Sequence, residues 1–593
     1  MRRAIAFCAG CLGLAGCAGE RPGKAGATAG SAASDVFVEV ASSTGLDFVH
    51  FNGMSGERYL DEITCGGAAL FDFDNDGDLD AYLLQGKMLG EGKTLSDALV
   101  PPRHPTLAGR LYRNELAGPA GGGARGRLLF TDVTEPAGLR PGAYGCSVAT
   151  GDYDNDGWVD LYLGNLGRNQ MLRNNGDGTF TDTTDATGAG DELSTAAVVF
   201  FDYDRDGWLD LAVGNYVDFA HPSPPLCRDL TGAQGYCGPG AYAYQPDRLY
   251  RNRGDGTFAN TTVESGLAGQ RSLPALGLVA DDLDGDGWQD LYVANDGEPN
   301  DLWINRRDGT FVEEGLPRGA AVNRHGESEA SMGVDAGDFD NDGDSDVFMT
   351  HLIRETNTLY RNDGTGNFED ATLPSGLGPP SLPFTSFGTG WLDYDNDGWL
   401  DLLVVNGAVS LLHALVERRD PFPLHQTKQL FRNRGDGTFA DATAEGGAAF
   451  ELSEVGRGAA FGDVDNDGDT DVLVANNNGP ARLLLNQLGH RRRWLGVRLV
   501  AGSPPRDQLG ARAVLRRSGL PSLTRRVHTD GSYASANDPR VLFGLGDDPR
   551  FDALLEIEVR WPDGSSESWS DLPLDTYSTL RQGSGRSLAG ERR

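Results

Sequence analysis

Short apolar runs closed by asparagine recur along the chain, as "LYLGN" (161–165), "LAVGN" (211–215), "LYVAN" (291–295) and "LLVVN" (402–406). Four or five residues rich in Leu, Val and Tyr are too few for a helix and predict buried strands. A second pattern lies downstream and alternates apolar and polar residues around Asn and Asp-Gly. It occurs as "MLRNNGDGTFTDTT" (171–184), "LYRNRGDGTFANTT" (249–262), "LWINRRDGTFVEE" (302–314), "LYRNDGTGNFEDAT" (359–372) and "LFRNRGDGTFADAT" (430–443). Such spacing predicts a hairpin.

What precedes each apolar run is acidic and regular. "GDYDNDGWVD" (151–160) sets Asp152, Asp154 and Asp156 on alternate positions, then Gly157 and Asp160. Side-chain oxygens at loop positions 1, 3 and 5, a backbone carbonyl at 7 and a glycine at 6 for the bend suit a hard cation of high coordination number, Ca²⁺. Six further copies carry Asp72, Asp74, Asp76 and Asp80; Asp202, Asp204, Asp206 and Asp210; Asp282, Asp284, Asp286 and Asp290; Asp338, Asp340, Asp342 and Asp346; Asp393, Asp395, Asp397 and Asp401; and Asp463, Asp465, Asp467 and Asp471. An EF-hand would need Glu at position 12 and flanking helices. Position 12 is instead Leu83, Leu163, Val213, Val293, Met349, Val404 and Val474, so each loop joins two strands.

The loops begin at 72, 152, 202, 282, 338, 393 and 463, and the shortest interval is 50 residues. Four strands in roughly 50 residues is the size of a propeller blade. The seventh repeat lacks a fourth strand after "RLLLNQ" (482–487), whereas "VFVEVASSTGL" (36–46) looks like "TFTDTTDATGA" (179–189) moved to the front. Phe37 to Val40 are therefore expected to complete the last blade. The expected fold is all-β: a seven-bladed β-propeller over 35–487 with up to seven Ca²⁺ ions in its loops, followed by a small β-rich C-terminal domain.

These repeats resemble the FG-GAP/VCBS calcium repeats of integrin α-subunits and, more closely, of the cartilage acidic protein family. In that family an ASPIC/UnbV domain follows the propeller. "WLGVRLV", "DQLGARAVLR", "SYASANDPRVLFGLG" and "IEVRWPDG" match that domain, taken as 488–583 with a disordered tail over 584–593. The resemblance implies an extracellular binding or adhesion protein with no assigned reaction. Repeat 1 departs from it by a Gly-rich insertion within "LYRNELAGPAGGGARGRLLFTDVT" (111–134).

Composition narrows the function. A net charge of -36 excludes electrostatic nucleic-acid binding as a main activity. "MRRAIAFCAGCLGLAGCAGE" pairs two arginines with an apolar core and a Leu-Ala-Gly-Cys lipobox. This predicts a signal peptide over 1–16, lipidation of Cys17, a flexible tether over 17–34, and an extracytoplasmic protein held at the outer membrane or cell surface by its lipid anchor alone. In an oxidising compartment "CRDLTGAQGYC" predicts a Cys227–Cys237 disulfide. Cys65 and Cys146 are consistent either with buried thiols or with a bridge.

The nine histidines show no metal spacing, and no G-x-S-x-G motif accompanies them, so no catalytic residue is assigned and the chain is not expected to be an enzyme. The partner is expected to be a protein or a glycan. Two alternatives stay open, an active site in the propeller channel or inserted loops, and lectin sites between blades. Tryptophan at loop position 7 (Trp158, Trp208, Trp288, Trp399) suits packing between blades. Residues 487–593 hold 17 arginines against 13 acids, which fits either docking on the acidic propeller or a free tether. Strand alternation puts loops and hairpins on one face and the long insertions 86–109, 216–247 and 407–427 on the other, where binding is expected.

Overall fold

Successive antiparallel sheets occupy residues 68–486, in the order that the apolar runs and hairpins predict. The computed structural model describes residues 35–588 apart from 105, 117–126, 141, 220–223, 229–231, 233, 270, 421 and 548–554. The proposed signal peptide, Cys17, the tether and the Gly-rich part of repeat 1 lie outside the described residues.

The third repeat shows the plan. Thr195–Phe201 descends to the Asp202 loop, Asp210–Asn215 returns beside it, and Arg248–Asn252 and Phe258–Asn260 form the hairpin. The first, fourth, fifth and sixth repeats also give four-stranded sheets. The second gives three strands, because Asp160–Asn174 runs as one long strand through the expected second and third. Its connection is only a few residues long, and Gly167 (φ +81°) lets the chain bend without leaving the ladder. In the seventh repeat Phe37–Glu39 supplies the fourth strand, with Phe37 opposite Asn486.

The asparagine that ends each third strand binds sheet to sheet. Its buried amide donates to the carbonyl of loop position 2 in another repeat, at 2.7–2.8 Å. The pairs are Asn114–Val464, Asn174–Phe73, Asn252–Tyr153, Asn305–Tyr203, Asn362–Leu283, Asn433–Phe339 and Asn486–Tyr394. The first of these links repeat 1 to repeat 7.

Residues beyond 488 form two further sheets. Arg493–Ala501 pairs with Val541–Gly546 and, in parallel, with Tyr577–Arg581, while Arg512–Arg516 lies between Leu523–Arg526 and Glu556–Arg560. Arg586–Ser587, expected in the tail, pairs with Glu567–Ser568, a two-residue strand too short to leave a hydrophobic signature. The core is continuous with the repeats: Phe200 and Leu211 share a cluster with Leu509, Leu515 and Val559.

Candidate metal centres

Each loop is a tight, prepaid curl of backbone around its first carboxylate. In the second repeat the N–H groups of Asp156 and Gly157 donate to the two oxygens of Asp152, at 3.0 and 2.8 Å. The same pair of bonds recurs at Asp72, Asp202, Asp393 and Asp463. Position 4 is left-handed throughout, as Asn75, Asn155, Arg205, Gly285, Asn341, Asn396 and Asn466, and Gly157 at position 6 has φ +90°. Asparagine and glycine tolerate that conformation best, which accounts for the repeated Asp-Asn-Asp-Gly. Asparagine at position 4 also donates to the position-6 carbonyl of another loop, as from Asn155 to Gly207 at 3.0 Å and from Asn396 to Gly468 at 2.8 Å.

The last aspartate of each loop is wholly buried and spans the sheet. Asp210 accepts from Tyr203 N–H at 3.2 Å and from Asn252 N–H at 2.8 Å, and Asp80, Asp160, Asp290, Asp346, Asp401 and Asp471 repeat the arrangement. Burial raises these carboxyls well above the usual range, and neighbouring loop carboxylates raise them further. Burial likewise pushes Asp152 and Asp202 up to about 7, and Asp72 and Asp338 to about 6.

This crowding points to a cation. Oxygens of Asp72, Asp74 and Asp80 lie within 4.8 Å of one another, as do those of Asp152, Asp154 and Asp160, of Asp202, Asp204 and Asp206, and of Asp282, Asp284 and Asp290. The Oδ1 atoms of Asp74, Asp154 and Asp340, all at loop position 3, are buried with no hydrogen-bond partner among the described residues. An orphaned buried carboxylate oxygen is costly, and a hard divalent ion would satisfy it.

The C-terminal sheets lie on this loop face, so docking, not free tethering, holds for the described residues past 488. Arginines reach loop carbonyls and carboxylates: Arg492 meets Asp395 (2.9 Å), Arg512 meets Asp281 (2.9 Å) and the Asp282 carbonyl (2.7 Å), and Arg540 donates to the Asp463 carbonyl (2.8 Å). Arg526, nearly inaccessible, pairs with Asp335 at 3.0 Å and Asp530 at 2.6 Å. The segment 529–538 enters among the innermost strands. It takes hydrogen bonds from Leu70, Val148 and Val334 N–H through Ala536, Ala534 and Ser532 carbonyls, and from Ala280 and Phe461 N–H through Asp530 and Asn537 side chains. At its tip Tyr533 stands edge-on to Phe387 and donates to the Thr64 carbonyl at 3.0 Å.

The three long insertions converge. Val100, Tyr216, Phe219, Tyr236, Leu412, Phe422 and Leu424 share a cluster with Met54, Leu60 and Tyr533. Tyr236 donates to Glu62 at 3.0 Å, and burial raises that carboxyl to about 7. Cys227 and Cys237 are bonded, as are Cys65 and Cys146, whose separation of 81 residues gave no sequence signal. Packing between repeats, expected for the position-7 tryptophans, is seen at Trp288, while the other three lie against their own repeat. Trp158, Trp208 and Trp399 each cover Gly176, Gly254 and Gly435 in the hairpin of their own repeat, because a glycine lets an indole lie flat. Trp288 instead stacks under Arg205 of the third repeat, at 4.1 Å.

A family model described as ASPIC and UnbV matches residues 501–587, and one described as FG-GAP-like repeat matches 152–213, 282–349, 338–404 and 425–474. Cartilage acidic protein 1 from Homo sapiens is 26% identical over 346 residues, 57% of this chain and 48% of that protein. The Xenopus tropicalis protein is 26% identical over 345 residues, 56% of this chain and 48% of its own length. These matches establish family-level homology, and the matched region spans about half the length of those relatives. Among solved structures, an Agrocybe aegerita lectin that recognises non-reducing terminal N-acetylglucosamine aligns at TM-score 0.34 and 16% identity, over 56% of this chain and 76% of its own. That score is too low to bear on fold or ligand.

Proposed function

We propose that the chain is a calcium-stabilised, seven-bladed propeller that serves as an extracytoplasmic binding or adhesion module for a protein or glycan partner. The homology to cartilage acidic protein 1 is the premise. The observation that carries the reading is a division of labour: the C-terminal sheets meet the loops, while insertions distant in sequence gather into a single cluster that the Tyr533 tip of the C-terminal segment also reaches. In this reading each loop holds one Ca²⁺ through its aspartates at positions 1, 3, 5 and 9 and a carbonyl at 7. The ions would neutralise carboxylates that otherwise repel one another. The chain's own residues curl the loops, orient the oxygens and exclude water from the buried position-9 aspartate.

Occupation of the axis by residues 529–538 weighs against a substrate path through the channel. Lipid anchoring through Cys17 belongs to the same proposal, and among the described residues no helix is long and apolar enough to cross a membrane. The test replaces 216–247 and 407–427 by short Gly-Ser turns and probes glycan arrays and immobilised envelope proteins. Loss of binding is expected, with a melt that is lowered by the missing cluster residues yet still raised by calcium. Binding that survives both replacements but fails when the Asp-Gly hairpins are altered would place the partner on the other face.

A further inference from the structure

The seventh loop differs from the other six in what lies against it. Where five repeats continue from the third-strand asparagine into an Asp-Gly hairpin, the chain after Asn486 turns through Gly489–Arg491 and lays His490 on the loop. The imidazole Nδ1 is 2.8 Å from Asp469 Oδ2 and 3.1 Å from Asp467 Oδ2. The His490 backbone N–H donates to the same Asp469 oxygen at 3.0 Å. Asp469 is wholly buried, and its Oδ1 has no hydrogen-bond partner among the described residues. Ligand atoms of all three side chains fall within 4.8 Å of one another.

An imidazole with two carboxylates is not a calcium set. Calcium takes oxygen donors, whereas imidazole suits borderline cations such as zinc and cobalt. We propose that His490, Asp467 and Asp469 form a separate site for a divalent transition cation, beside the seventh loop and sharing Asp467 with it. Donors about 2.0–2.2 Å from such an ion stand roughly 3.3–3.6 Å apart in tetrahedral geometry, so the 3.1 Å spacing to Asp467 needs to open by about 0.2–0.5 Å and the 2.8 Å spacing to Asp469 by about 0.5–0.8 Å. A dication would engage the buried carboxylate that His490 alone leaves half satisfied. The adjacent cations do not block it: Arg492 is committed to Asp395 and Arg493 to Asp575, and two carboxylates outweigh the remaining Arg491. Three protein ligands leave one position for water. Because His490 opens the C-terminal region, the ion would tie that region to the seventh loop.

The test uses the full chain saturated with calcium. Cobalt(II) is titrated while visible d–d absorption is followed, and bound calcium is counted separately by elemental analysis. One cobalt per chain is expected without loss of calcium. Affinity should fall at least tenfold in His490→Ala and in Asp469→Asn, with the calcium count and calcium-dependent melt of His490→Ala unchanged. His490 is partly exposed, so its removal should not unfold the protein even if Asp469→Asn does. The inference is overturned if calcium-saturated protein takes up no cobalt. It is equally overturned if His490→Ala binds cobalt as tightly, or if cobalt enters only by displacing calcium in both proteins.

Discussion

Asn252 donates its buried side-chain amide to the Tyr153 carbonyl of the preceding repeat at 2.8 Å and to the Leu209 carbonyl of its own at 3.0 Å. One residue thus closes a hairpin and joins two sheets. Asn252→Ala should cost about 1–3 kcal/mol for each carbonyl left buried without a donor. Asn252→Asp should cost more, since a carboxylate would face both carbonyls. Denaturant melts of the two variants check this, and a wild-type midpoint in Asn252→Ala would show that water replaces the amide.

Chelation should lower the melting temperature, because each emptied loop is left with clustered carboxylates. Extracellular sites of this kind often bind at roughly 10⁻⁴ to 10⁻³ M, and magnesium, which demands near-octahedral geometry, should restore little. Asp204→Ala should lose about one calcium while keeping the fold. An unchanged melt in excess EGTA, with metal loss confirmed, would remove calcium as a structural component.

How much of this was legible beforehand follows the range of the contacts. The strands, the loops and the pairing of Phe37–Glu39 with the seventh repeat rest on local periodicity and on two complementary half-repeats, so they could be read directly. The ending asparagines could be read only as hairpin markers, since their bonds to other repeats span 79 to 350 residues. The entry of Ala534 and Ala536 among the inner strands carries no signal, because small residues give no pattern for an edge they will meet hundreds of residues away. His490 carries no metal signal for a different reason: its partners Asp467 and Asp469, close in sequence, belong to a loop already explained by oxygen chemistry.

The calcium-stripped protein should show an inverted pH dependence. Burial and neighbouring carboxylates raise Asp152 and Asp202 to about 7 in the fold, against about 3.9 in an unfolded chain. The native state therefore holds protons that the unfolded state releases. The resulting penalty is fully present above about pH 7 and is relieved as pH falls towards 4. In EGTA the melting temperature should rise from pH 8 to pH 5, whereas with calcium present it should fall as protons compete for the loops. A stripped protein that loses stability steadily on acidification would contradict the assigned shifts.

Cys17→Ser should move the protein from the membrane fraction to the soluble one. Acyl chains contribute about 0.8 kcal/mol per buried CH₂. Membrane retention of the variant would require another anchor.

The arginine run at 491–493 offers three consecutive trypsin sites that a free tether would expose. In the fold Arg492 pairs with Asp395 at 2.9 Å and donates to its carbonyl at 2.8 Å, and Arg493 pairs with Asp575 at 3.1 Å. Cleavage needs the backbone to leave these contacts, so digestion should be slow in calcium. Asp395 is also a proposed calcium ligand, so emptying the loop should loosen the segment as well as the sixth repeat. Trypsin digestion in EGTA should therefore cut first at 491–493, releasing a fragment that begins beyond Arg491. High salt with calcium present should accelerate cutting only modestly, because Arg526 and its partners Asp335 and Asp530 are nearly sealed from solvent and screened little. Rapid cleavage at this run in saturating calcium, indifferent to salt, would show that the C-terminal region is tethered and not docked.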